Sequence, residues 1–133
     1  WRLASSFPKA LDTIFGAAIL PETIRQASRI GLDAGVAFLK TSTGKTAHGA
    51  SLDAARLMLE CIAMQPRAVG FKASGGIRTV ADAAAYIELA RAVLGNGALS
   101  SQRLRFGASS LLGDIERVLS GISGPGAAPT SAY

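Results

Sequence analysis

Two apolar runs that deliver a lysine at or beside their last residue set the tightest limit on what this chain can fold into. They are VAFLKT, Val36–Thr41, and AVGFK, Ala68–Lys72. An apolar run without polar alternation predicts a strand buried on both faces, the signature of a parallel sheet covered by helices. Weaker runs at Thr13–Phe15 and Leu104–Ala108 complete a series of four. Between them the apolar residues change to helical spacing. Ile24, Ala27, Gly31 and Ala34 form one inward face, with Pro21 at a first helical position and Gly35 placed to end the helix. A helix over about 51–64 points Ala55, Met58, Leu59 and Ile62 inward. Thr79 and Asp82 have the spacing of a cap with its acidic reply, ahead of an inner face of Ala83, Ile87, Ala90 and Leu94. The last helix carries Leu111, Leu112, Ile115, Val118 and Leu119.

The units repeat. Lys40 and Lys72 lie 32 residues apart, and Lys72 and Gly107 lie 35 apart, each the size of one βα unit. Successive units predict a parallel sheet with right-handed crossovers, whose chemistry gathers at the C-terminal ends of the strands. Lys40, Lys72 and the turn Gly107–Ser110 all fall there. One domain is expected over 1–121, followed by a mobile Gly/Pro/Ser/Ala-rich tail over 122–133.

Composition narrows the function. Hydrophobic residues make up 49% of the chain, enough for an ordered core, yet no apolar run reaches the roughly 18 residues that span a bilayer. The net charge of +5 is scattered, and with aromatics at 6% there is no stacking array for nucleic acid. A small anionic ligand and an ordinary solvated surface both fit that charge. The single Cys61 lies in a helical pattern and is expected as buried packing in a reducing, cytoplasmic setting. With one His and one Cys there is no metal-ligand cluster, and His48 reads as a solvated loop residue.

The lysines admit two readings. An amine is nucleophilic only without its extra proton, and apolar surroundings or a second cation disfavour the charged form. On neighbouring strands about 5 Å apart, Lys40 and Lys72 would repel, leaving one ready to attack a carbonyl. Equally, both could be strand-end side chains whose stems lie on apolar surface while their ammonium groups reach water. The glycine turns also admit two. Gly75-Gly76, and Gly107 ahead of Ser109-Ser110, could bring backbone N–H groups and hydroxyls around an anion at a helix N-terminus, with Lys45 supplying charge. They could also be plain turn and cap chemistry. STGK is not a Walker A loop, because Leu39 stands where that motif needs its upstream glycine. Asp53, Asp82, Asp114 and Glu116 suit first helical turns, and Arg78 suits either an anion or a structural ion pair.

Taken together, FLKTSTGK (38–45), VGFKASGGIRT (69–79), RFGASSLL (105–112) and the terminal Tyr133 resemble deoxyribose-phosphate aldolase, over roughly Thr13 to Tyr133. The resemblance implies a (β/α)8 TIM barrel, of which this chain covers about the last four βα units, a half-barrel. It implies a class I aldolase that reversibly cleaves 2-deoxy-D-ribose 5-phosphate to glyceraldehyde 3-phosphate and acetaldehyde, without a metal or other cofactor. Lys40 would form the Schiff base, and Lys72 would tune it and assist proton transfer. Gly44, Lys45, Gly75, Gly76, Gly107, Ser109 and Ser110 would surround the substrate phosphate, and Tyr133 would close over it. A phosphorylated sugar is thus the expected partner, with neither nucleic acid nor membrane.

A full barrel of this kind needs about 250 residues. The family's proton-relaying aspartate belongs to an earlier strand and has no counterpart here, and Gly16-Ala17 replaces the family's acid–hydroxyl pair. The chain is expected to be a piece of a longer product or a shortened one. Its open half-barrel is expected to pair with itself or with a complementing half. A non-catalytic phosphosugar-binding or assembly module is the alternative function.

Overall fold

In the computed structural model the described residues are 10–12 (backbone only), 21–42 and 51–121. They form four parallel strands in sequential order, β1 Ala10–Asp12, β2 Phe38–Lys40, β3 Gly70–Ser74 and β4 Leu104–Gly107. Helices follow each in turn: α1 Pro21–Asp33, α2 Leu52–Ala63, α3 Val80–Leu94 and α4 Leu111–Leu119. This is the four-unit βα layout that the repeat spacing predicts. Register pairs Leu11 with Leu39, Leu39 with Phe71, and Phe71 with Leu104.

Alternation along the strands decides which face is the core. Leu39, Phe71 and Ala73 are fully buried and cluster with Leu32, Met58, Leu59 and Ile62 from the helices. Phe38, Lys40 and Lys72, on the opposite face, are only half-buried. The expectation that VAFLKT is buried on both faces is therefore corrected. Four strands with their helices packed on one face leave the other face without a covering layer among the described residues, so that face stays partly open. Replacing Phe71 by Ala would cost about 3–5 kcal/mol, since it is fully buried in the core between sheet and helices.

Helix ends follow local chemistry. Gly35, at φ 82°, ends α1 in a Schellman motif: its N–H donates to Leu32 O at 3.0 Å, and Val36 N–H donates to Gly31 O at 3.2 Å. Ser51 caps α2 by accepting from Ala54 N–H at 3.1 Å. Thr79 and Asp82 form the expected capping box on α3.

Several boundaries and faces differ from expectation. The first strand lies at Ala10–Asp12, ahead of the Thr13–Phe15 run, and Thr13–Phe15 fall outside the described residues. Strand β3 runs two residues past Lys72, because Ala73 can still pack inward while Ser74 pairs with Gly107. In α1, Ser28 and Leu32 are buried where Ala27 and Ala34 were expected; Ala34 lies beyond the helix end. In α3, Tyr86 and Leu89 replace Ile87 and Leu94, which are half-buried. The largest departure is α4. Only Leu111 is buried, whereas Leu112 is 64% and Leu119 82% exposed, because α4 packs chiefly against α3 and its outer stripe faces solvent among the described residues.

Candidate functional site

The basic residues of the sheet converge. Lys40 pairs in register with Lys72, and Lys72 with Arg105, so three cationic residues occupy one row across β2, β3 and β4. Strand spacing puts neighbours in such a row about 5 Å apart at the backbone. By alternation all three belong to the face away from the helices, opposite Leu39, Phe71 and Phe106. An anion or a polarised carbonyl is the ligand such a row favours. Asp12, which sequence reading passed over, takes the register position beside Lys40 on β1. It is two strands, about 10 Å, from Lys72.

The lower wall of this face is built from Phe38. Its ring lies over β3 at Gly70, where any Cβ would run into it. The Arg105 guanidinium stacks on the same ring at 4.2 Å from its centroid, and its Nε–H donates to Ser101 O at 3.0 Å.

Above the lysines, the strand ends are tied together. Thr41, almost fully buried, donates its hydroxyl to Ser74 O at 3.0 Å and accepts Ser74 N–H at 2.9 Å. Thr41 N–H donates to Lys72 O at 3.2 Å. Gly75 and Gly76 follow at φ 92° and 78°, a left-handed pair that β-carbon sterics reserve for glycine. Gly107 faces Ser74 across the β3–β4 pair. A Cβ there would collide with the Ser74 hydroxyl and stand 3.1 Å from Lys72 Cε. The bare backbone at Gly107 thus leaves the space that the Lys72 stem uses.

Beyond Gly107 the chain enters α4 through Ser109 and Ser110. Ser110 occupies the cap position but makes no side-chain capping bond, so capping does not account for its hydroxyl. Acids hold the neighbouring helix start instead. Asp114 of α4 accepts the Val80 N–H of α3 at 2.7 Å and binds Arg117 Nη2 at 2.6 Å. Those contacts, the amide first, hold its carboxyl below the usual range. Asp82 is lowered likewise, chiefly by the Arg78 N–H at 2.9 Å and then that of Thr79. Both acids are structural, as their first-turn positions predict. Burial raises the Cys61 thiol, in keeping with a packing role. Arg78, two residues after Gly76, is exposed.

Of the residues singled out in the sequence, Lys40, Lys72, Gly75, Gly76, Gly107, Ser109 and Ser110 gather at the C-terminal ends of β2, β3 and β4. Gly44, Lys45, His48 and Tyr133 lie outside the described residues. Thr41, Ser74 and Arg105 were missed. Each sits one or two residues from a highlighted position, and alternation from Lys72 reaches Ser74 only once β3 is known to run that far. A cavity of about 380 Å³ lined by Ile62, Arg67, Val93 and Arg103 lies at the other end of the strands. Arg67 there donates to the Leu32 and Val36 carbonyls, both at 2.8 Å, which is helix-end and strand-start support rather than chemistry. No helix among the described residues is long and apolar enough to cross a membrane.

Comparison with known proteins adds an independent line. A family model described as DeoC/LacD family aldolase matches residues 9–114. A solved structure named QR15, an aldolase, shares 28% identity at a TM-score of 0.57, covering 80% of this chain and 44% of its own. A protein from Coccidioides immitis, named as a candidate deoxyribose-phosphate aldolase, shares 26% identity at a TM-score of 0.60, covering 76% of this chain and 35% of its own. A similarly named protein from Toxoplasma gondii ME49 has a TM-score of 0.74 at 21% identity, a likeness of fold, over 88% of this chain and 48% of its own. The chain therefore spans less than half the length of each of these structures, and its parallel βα sheet corresponds to part of a TIM-barrel aldolase.

Proposed function

Because the chain belongs to the DeoC/LacD family of aldolases, we propose that it carries the C-terminal half of a class I deoxyribose-phosphate aldolase, a carbon–carbon lyase of deoxyribonucleotide catabolism in the cytoplasm. The observation that carries this reading is the register pairing of Lys40 with Lys72 at the strand ends, beside two glycine turns and an uncapped serine. The Lys40 amine adds to the substrate aldehyde and water leaves, giving an imine. Protonated, that imine accepts the electron pair of the breaking carbon–carbon bond as the adjacent hydroxyl loses its proton. Glyceraldehyde 3-phosphate departs, and the remaining enamine is protonated and hydrolysed to acetaldehyde. Lys72 serves the proton transfers, while Gly75, Gly76, Gly107, Ser109 and Ser110, with Gly44 and Lys45, hold the phosphate; Tyr133 closes over the substrate.

Borohydride reduction in the presence of acetaldehyde tests the first step. A stable adduct at Lys40, absent in Lys40→Ala, is the expected result; no adduct on the intact chain would refute it. Turnover of 2-deoxyribose 5-phosphate should be weaker than a full barrel's by about 10²–10⁴-fold, the worth of a positioned general acid. Asp12, two strands from Lys72, is too far to supply that contact directly. Near-full turnover would refute this part. The same distance favours a second reading, a phosphosugar-binding or assembly module that forms no productive enamine. It is distinguished by ligand binding without an adduct.

A further inference from the structure

Among the described residues at the strand ends, the Ser74 hydroxyl is a buried polar group whose position the fold does not explain. Ser74 is 3% exposed and its Oγ makes no hydrogen bond, although its backbone is held from both sides by Thr41. Buried hydroxyls are nearly always partnered, so an orphan held this firmly asks for a reason. Ser28 Oγ, also buried and unpartnered, sits in α1 within the helix–sheet core, away from the strand ends. Ser74 differs in place. It follows Lys72 by two residues on the same face, directly precedes Gly75-Gly76, and lies against Gly107. Its oxygen thus stands where the two glycine turns meet. The Lys72 stem, a flexible neighbour, passes the same spot, with Cε 3.1 Å from where a Gly107 Cβ would be.

We infer that Ser74 is a ligand-contacting residue whose hydroxyl donates to an oxygen of the bound phosphate once the Lys72 stem moves aside. This rests on the phosphosugar reading above and adds to it a donor that serves no structural bond in the unliganded chain. A hydroxyl kept unsatisfied for a ligand trades stability for binding. Removing it should therefore push stability and affinity in opposite directions, an outcome that a structural serine would not produce.

The test compares the chain with Ser74→Ala by amide chemical-shift titration with inorganic phosphate and with 2-deoxyribose 5-phosphate, and by melting without ligand. Loss of a hydrogen bond to a charged oxygen predicts an affinity for both ligands lower by about tenfold or more. The unliganded variant should melt about 2–8 °C higher, since it no longer buries an unpaired hydroxyl. Affinities unchanged within about twofold, or a loss with the sugar phosphate but not with inorganic phosphate, overturn the inference; so does a lower melting point with the affinity loss. Wild-type chain that binds neither ligand sinks both this inference and the phosphosugar reading. Acetaldehyde trapping at Lys40 needs no phosphate, so it judges the Schiff-base step separately.

Discussion

Replacing Thr41 by Val keeps its shape while deleting the oxygen that fastens β2 to β3. In the native chain that oxygen accepts Ser74 N–H at 2.9 Å and donates to Ser74 O at 3.0 Å, both in a buried setting. In the variant the Ser74 amide faces a methyl group. An orphaned buried donor costs about 1–3 kcal/mol, and the lost bond to the carbonyl another 0.5–1.5. The sum is about 1.5–4.5 kcal/mol, a large share of the roughly 5–15 kcal/mol that holds an ordinary domain. Urea denaturation followed by circular dichroism measures it, with Thr41→Ser as the control that keeps the oxygen and loses a methyl. A Thr41→Val chain within about 0.5 kcal/mol of wild type, or a serine control that loses as much, would show that this tie between strand ends carries no weight.

Acid should loosen the fold through two carboxylates. Asp82 and Asp114 both have folded-state values held below the unfolded one, so their contribution is complete above the unfolded value near 3.9 and disappears as pH falls through the lower folded values. Urea midpoints from pH 6 down to pH 3 should fall more steeply below pH 4 for wild type than for the Asp82→Asn/Asp114→Asn double variant; parallel curves would refute the assignment. Self-association is the other expectation. β1 and β4 are edges of the described sheet, and α4 presents Leu112 and Leu119 to solvent. Sedimentation velocity should therefore show species heavier than the monomer, reduced by Leu112→Lys with Leu119→Lys. A single stable monomer at tens of micromolar would count against it.

What the sequence disclosed follows from how local each signal was. The strand–helix alternation, the Thr79–Asp82 cap and the Gly35 stop depend on neighbours in the chain, and they stand where expected. The lysine row was legible because two apolar runs of similar pattern each deliver a lysine at or beside their last residue. Ser74 was not, because the end of β3 is set by pairing with β4, a contact 33 residues away in the chain at Gly107. The α4 face misled for a related reason. Leu112, Ile115 and Leu119 have helical spacing suited to burial, but burial needs a partner surface, and periodicity reports only the demand for one. Arg105 was passed over because its significance lies in a neighbour two strands away, the Phe38 ring.

That ring has a bearing on reach. Phe38 spans the floor beneath the amines, held down by a guanidinium on one side and by the absence of any side chain at Gly70 below. On the reading proposed above, that ring would limit how far a ligand lying on this open face could extend past the amines toward the starts of the strands.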